Sequence, residues 1–199
     1  MSVPDTAQAF WVTRPGHGAI QSESLPAMGQ NDVRVRALYS GVSRGTESLV
    51  FHGRVPSSET QRMRAPFQVG EFPGPVKYGY CSVGRVTHGP QALVDQTVFC
   101  LHPHQDRYIV PGTMVVPVPA DVPAYRAVLA ANMETAINGV WDANPMLGER
   151  VCVVGGGVVG ALVAYLCARI AGVQVQLIDI NGEREALADA LRVPFALPE

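Results

Sequence analysis

Residues 151–181, VCVVGGGVVGALVAYLCARIAGVQVQLIDIN, leave little choice of fold. A continuous apolar run ends in glycines, an apolar segment of helical length follows, and a second run rich in β-branched residues closes the unit. This order of strand, glycine turn, helix and strand predicts the opening of a parallel, doubly wound α/β sheet that binds a dinucleotide. Gly155 permits the tight turn, Gly157 lets the backbone approach a pyrophosphate, and Gly160 lets the helix sit close to the strand. The helix N-terminus at Val158 and Val159 then faces the phosphates. The second strand ends in Asp179, about two dozen residues beyond Gly155, where a carboxylate accepts hydrogen bonds from ribose hydroxyls and repels a 2′-phosphate. The expected cofactor is therefore NAD rather than NADP. The competing role for Asp179 is to cap the helix beginning near Gly182, which Asn181 could do instead.

A helix over GEREALADALR and the start of a third strand at VPFA complete the C-terminal part. A doubly wound cofactor domain has about six strands, so this sequence encodes its adenine half. The expectation is that the chain is a portion of a longer one, in preference to a truncated gene or a second polypeptide completing the sheet.

Residues 1 to about 120 read differently, as short strands broken by Gly and Pro: AFWVT, HGAIQSESL, VRVRALYSGVS, YGYCSVGRV, QTVFCL and YIVPGTMVVPVP. They predict an antiparallel, barrel-like all-β module. Residues 54–75 have no period of either kind and are expected to form a long surface loop. After Asp121, a candidate N-cap, PAYRAVLAANMETAINGVWDAN spaces its apolar residues as a helix does. The domains are thus expected at 1–122 and 123–199.

Fifteen Lys and Arg stand against 17 Asp and Glu, and no run of like charges forms a nucleic-acid or membrane footprint. The N-terminus has no basic segment followed by an apolar core, and no apolar run is long enough to span a bilayer, so a cytoplasmic location is expected. Cys81, Cys100, Cys152 and Cys167 lack paired spacing and are expected to be buried thiols.

The whole chain resembles the medium-chain dehydrogenase/reductase superfamily, in which a GroES-like catalytic domain precedes the cofactor domain. The segments that carry the resemblance are SGVSRGTESLVFHG at 40–53, PVKYGYCSVGRV at 75–86, VFCLHP at 98–103, ANMETAINGVWDA, and VVGGGVVG with LIDIN. The SRGTE and KYGY variants are similar to an alcohol dehydrogenase-like branch related to the bacteriochlorophyllide dehydrogenase type. In the zinc enzymes, the three ligand positions fall on residues that here read Ser43, Tyr80 and Glu134. Neutral hydroxyls bind zinc poorly, so the resemblance implies an enzyme without catalytic zinc. No C-x-x-C spacing supplies a structural zinc lobe. Cys100, His102 and His104 in CLHPH alternate as if along one strand face, but C-x-H-x-H matches no common zinc spacing, and the expectation is a strand end near the cleft whose histidines are satisfied by backbone groups, or a loop touching substrate.

The implied reaction is hydride transfer between a nicotinamide and an alcohol, a carbonyl or an activated alkene of a small-molecule substrate. Tyr80 and Ser43 are the expected hydroxyl donors to the substrate oxygen, Glu134 the group that orients them or relays the proton, and Arg44 the pyrophosphate clamp. Lys77 is a reserve cation, and Glu47 is expected only to hold Arg44. Two alternatives stand beside this reading. One is a zinc enzyme that recruits Glu134, Cys81 and a histidine. The other is a non-catalytic dinucleotide sensor. A homo-oligomer is implied by resemblance alone.

Overall fold

The computed structural model describes residues 6–198. Residues 1–5, the start of the expected all-β domain, and residue 199, the last of the cofactor domain, lie outside the described residues. Two compact units divide the chain, residues 1–130 and residues 131–199.

The first unit holds two antiparallel sheets. One has the order β2-β1-β5-β4, formed by β1 (Thr6–Arg14), β2 (His17–Ser24), β4 (Val69–Gly70) and β5 (Val76–Lys77). The other has the order β8-β3-β6-β7-β9, formed by β3 (Asp32–Ser40), β6 (Ser82–His88), β7 (Thr97–Cys100), β8 (Arg107–Pro111) and β9 (Val116–Pro117). Alternation along β3 sends Val33 and Val35 into the core and leaves Arg34 and Arg36 less buried. Val86, Val98, Tyr108 and Val110 close on the two valines from the neighbouring strands. Removing one such valine side chain from water stabilises the fold by about 1.5 kcal/mol or more. A second cluster joins Val12 of β1, Val76 of β5, Tyr78, Ala65 and Val50, the last from α1 (Thr46–Phe51).

Residues 101–106 run between the two sheets without joining either as a strand. Phe10 N–H donates to His104 O at 2.9 Å, and Asp106 N–H donates to Gln8 O at 3.0 Å. β7 ends at Cys100, so Cys100, His102 and His104 share no strand face, and the two histidines enter different surroundings. The 54–75 stretch is mainly loop as expected, yet it contains β4, which pairs with β5.

Lys77 is not a reserve cation. Its stem is buried, its ammonium pairs with Glu23 and donates to Gln105 Oε1 at 2.9 Å, and it lies 5.9 Å from the centre of the Trp11 ring. Buried charges persist where they are paired, and this one has its partners in Glu23 and Gln105.

Asp121 caps no helix. Pro123, in extended conformation, precedes α2 (Ala124–Ala127), and the chain restarts at α3 (Ala130–Ala143), so the expected single helix is two. The break places α2 against β3 and β6 of the first unit.

The second unit carries β10 (Arg150–Val154), α4 (Val158–Cys167), β11 (Gln174–Ile178), α5 (Glu185–Leu191) and β12 (Phe195–Ala196). Its three strands are parallel, in the order β10-β11-β12. Ala164 and Cys167 of α4, Leu177 of β11 and Ala188 of α5 form its core. Val151 and Val153 pack towards that core, and the opposite phase of β10 leaves Cys152 exposed, contrary to the expectation for all four cysteines. Among the described residues, no helix is long and apolar enough to cross a membrane.

His102 is a core residue of the first unit. Its ring stacks on Tyr108 with centroids 3.8 Å apart, and Nδ1–H donates to the Pro103 carbonyl at 3.0 Å. Burial pushes its pKa down from 6.5 to about 4, with the positive charge of Lys77 acting in the same direction. The unfolded chain takes up this proton as pH falls through the ordinary histidine range, whereas the folded chain does so only near the lowered value. Stability is then complete above the ordinary range and declines as pH falls through that window. Denaturant titrations should show the protein losing about 2 kcal/mol more than the His102→Phe variant between about pH 7 and pH 5. Parallel losses in the two proteins would remove His102 as the cause.

Candidate functional site

In the second unit, the glycine turn after β10 leads straight into α4. Gly155 has φ +105°, a conformation open to glycine and strained for other residues. A Cβ on Gly160 would lie 1.8 Å from the Gly155 carbonyl oxygen, so no larger residue permits this approach of helix to turn. A Cβ on Gly157, the N-cap of α4, would meet no protein atom within 4 Å. The backbone there faces open space beside the first amides of α4, where an anionic group can be held. Val158 and Val159 occupy the first turn of that helix and are exposed.

Asp179 follows β11 and is tied to the turn. Its Oδ2 accepts from Gly156 N–H at 2.5 Å, and its Oδ1 accepts from Asn181 N–H at 2.8 Å. The capping role belongs to Asn181, whose Oδ1 accepts from Glu183 N–H at 3.0 Å. Arg184 lies beside them: a Cβ on Gly156 would be 3.2 Å from its Cβ and Cγ. Sequence reasoning passed over Arg184, whose nearness to the turn depends on the tight three-residue helical turn Gly182–Arg184 that brings it back.

In the first unit, a cavity of about 430 Å³ has apolar walls from Phe10, Val12, Val50 and Phe51, and polar groups from Ser43, Arg44, Glu47, Ser48 and His104. Such a ratio of apolar wall to a few convergent polar groups is the usual make-up of a small-molecule site. Ser43 is half-buried, and Arg44 is exposed on the rim. Glu47 does not hold Arg44. Its Oε1 accepts from the Ser43 N–H at 2.8 Å, and its Oε2 lies 2.5 Å from His104 Nε2. The other ring nitrogen, Nδ1, is 2.5 Å from Ser40 Oγ. An ionised carboxylate only accepts, so Nε2 carries a hydrogen towards Glu47, and in the neutral ring Nδ1 accepts from the Ser40 hydroxyl.

Gly79 makes room for this histidine: at φ +134° a Cβ would lie 3.0 Å from the backbone N, Cδ2 and Nε2 of His104. The glycine of KYGY thus serves a ring over twenty residues away in sequence. Tyr80 is half-buried, packs on the Val12 cluster and meets Tyr78 edge-on with centroids 6.1 Å apart. Its hydroxyl finds no hydrogen-bond partner among the described residues, and its ring is not among the walls of the cavity. Tyr78 does line the cavity, but its hydroxyl donates to Met63 O at 2.8 Å, and burial pushes its pKa up. Glu134 lies on α3 in the second unit and is exposed.

Two of the three residues at the zinc-ligand positions do not fit zinc, and only Glu134 is of ligand type. Ser43 and Tyr80 offer neutral hydroxyls, and the Cys81 thiol is raised to about 11 by burial, with Glu47 adding to the effect, whereas zinc takes thiolate. Among the described residues, no group of three or more His, Cys, Asp or Glu is placed to hold a metal ion.

No protein-family model matches the sequence, and no curated protein matches it. Solved structures do match its fold. A short chain alcohol dehydrogenase from E. coli CFT073, complexed with NADH, superposes with TM-score 0.79 at 16% identity over 98% of this chain. The quinone oxidoreductase of Thermus thermophilus, also determined with NADPH, gives 0.71 at 21% over 96%, and CAD from Helicobacter pylori, complexed with NADP(H), gives 0.76 at 13% over 96%. The chain has the fold shared by these dehydrogenases and oxidoreductases. A GroES-like β module is followed by the first strands of a Rossmann sheet, as expected from the sequence. The chain spans 64%, 59% and 64% of the lengths of these three proteins.

The two glycines of the turn make opposite demands, and this can be measured. Gly160→Ala should cost about 3 kcal/mol of stability by forcing α4 away from the turn, whereas Gly157→Ala should cost less than about 1 kcal/mol. Equal denaturation midpoints for the two variants would contradict the geometry.

Proposed function

We propose that the chain belongs to an NAD-dependent oxidoreductase that transfers hydride between a nicotinamide and an alcohol, carbonyl or activated alkene without catalytic zinc. The observation that carries this reading is the glycine turn. Gly157 opens onto space at the N-terminus of α4, and Asp179 is fixed beside it by the Gly156 amide. Gly155, Gly157, Val158, Val159 and Gly160 would hold the pyrophosphate, and the Asp179 carboxylate would accept from the adenosine ribose. The bound dinucleotide supplies the hydride acceptor or donor.

The remaining chemistry falls to side chains. Hydride transfer to or from a carbon bearing oxygen requires donors that stabilise developing charge on that oxygen. Ser43 supports this role by lining the cavity, and Tyr80 by its unengaged hydroxyl. Arg44, exposed at the cavity rim with no ion-pair partner among the described residues, is the proposed pyrophosphate clamp. Glu134 is the proposed orienting group, exposed and uncommitted on α3.

Arg184 favours a second reading for the cofactor. An arginine whose Cβ and Cγ lie beside Gly156 can bring its guanidinium to a 2′-phosphate, so NADP is the rival to NAD. Fluorescence titration should show NADH binding at least tenfold tighter than NADPH, with Asp179→Asn narrowing the gap and Gly157→Ala weakening both. Tighter binding of NADPH would reverse the cofactor assignment. Deuteride exchange from labelled NADH to a panel of aldehydes, ketones and enones should give turnover, and binding without any turnover would favour the sensor.

A further inference from the structure

Ser40, His104 and Glu47 form a line of hydrogen-bonding groups that starts at solvent and ends in the cavity of the first unit. Ser40 is exposed, whereas the side chains of His104 and Glu47 are only 14% and 11% exposed. Resting on the oxidoreductase reading, we propose that this line is the proton path of the cavity. Glu47 exchanges a proton with a ligand oxygen, His104 relays it, and Ser40 passes it to water.

Each link has a group able to both take and give. In the inward direction, a water proton reaches Ser40 Oγ, and the Ser40 hydroxyl proton moves to His104 Nδ1 as the Nε2 proton moves to Glu47 Oε2. The resulting carboxylic acid then protonates the ligand oxygen, which forms one O–H bond and returns Glu47 to its ionised state. The ring is left with its hydrogen on Nδ1, facing Ser40, which is the tautomer that runs the path outwards. One proton crosses in each direction and no other reactant is consumed. His104 is locked in place for the relay. Its backbone N–H donates to Tyr78 O at 3.3 Å, its carbonyl accepts from Phe10 N–H at 2.9 Å, and Gly79 clears space against the ring.

Besides His104, the ionisable and charged groups lining the cavity are Arg44, Glu47, His52 and Tyr78, and the buried Cys81 thiol lies near enough to feel the charge of Glu47. Glu47 is the one in direct contact with the ring. The substrate class follows from the walls: an apolar body, aromatic or branched, bearing a single hydroxyl or carbonyl that meets Glu47 at the polar side.

The test needs no cofactor. In protein labelled with ¹⁵N-histidine, Ser40→Ala should slow exchange of the His104 ring N–H with water at least tenfold, and Ser40→Thr should restore it. Unchanged exchange in Ser40→Ala would overturn the outlet. Adding 4-fluorobenzyl alcohol should shift the His104 ring nitrogens, and Ser48→Phe, which fills the cavity, should weaken that binding at least tenfold. An alcohol that leaves the His104 nitrogens unmoved would overturn the proposal. Failure of NADH to bind would instead overturn the oxidoreductase reading, and these signals would not register it.

Discussion

One methyl group decides whether the second unit can form the proposed phosphate site. Placed on Gly160, it would overlap the carbonyl oxygen of Gly155, and α4 could no longer seat its first turn against the end of β10. With hydrogen there, the helix N-terminus projects its free amides past Gly157 into open space, and the Gly156 amide is left to bind Asp179. The acid is thereby pinned at the carboxyl end of β11, the edge at which ligands of open α/β sheets bind. Helix dipole, backbone donors and carboxylate are brought together by this contact and not by any long-range fold property.

Much of this was legible because it is local. The strand, the glycine spacing and the terminal aspartate lie within one short stretch, and each residue acts on near neighbours. The alternation of β3 was equally plain, since Val33 and Val35 need only the period of a strand to reach the core. Asn181 settled the capping ambiguity of Asp179 by the same local logic.

The rest depended on tertiary contacts that no period encodes. Lys77 reads as a reserve cation until Glu23 and Gln105 arrive from elsewhere in the chain to engage it. CLHPH reads as a strand end until the sheets close on either side of it, which sends His102 onto Tyr108 and His104 onto Glu47. The seat of His104 left a further trace in the sequence at the glycine of KYGY, a position without a side chain where the ring needs room. Asp121 failed as a cap because Pro119 and Pro123 hold the approach to α2 in a turn and then in extended backbone.

The central claim is that the turn around Gly157 is a pyrophosphate site. Amide ¹⁵N shifts of the backbone during titration with NADH test it most directly. Perturbations concentrated at Gly156 to Gly160 and around Asp179 are predicted, saturating at a single affinity. Saturable NADH binding that leaves those amides unmoved, or no binding at all, would contradict it.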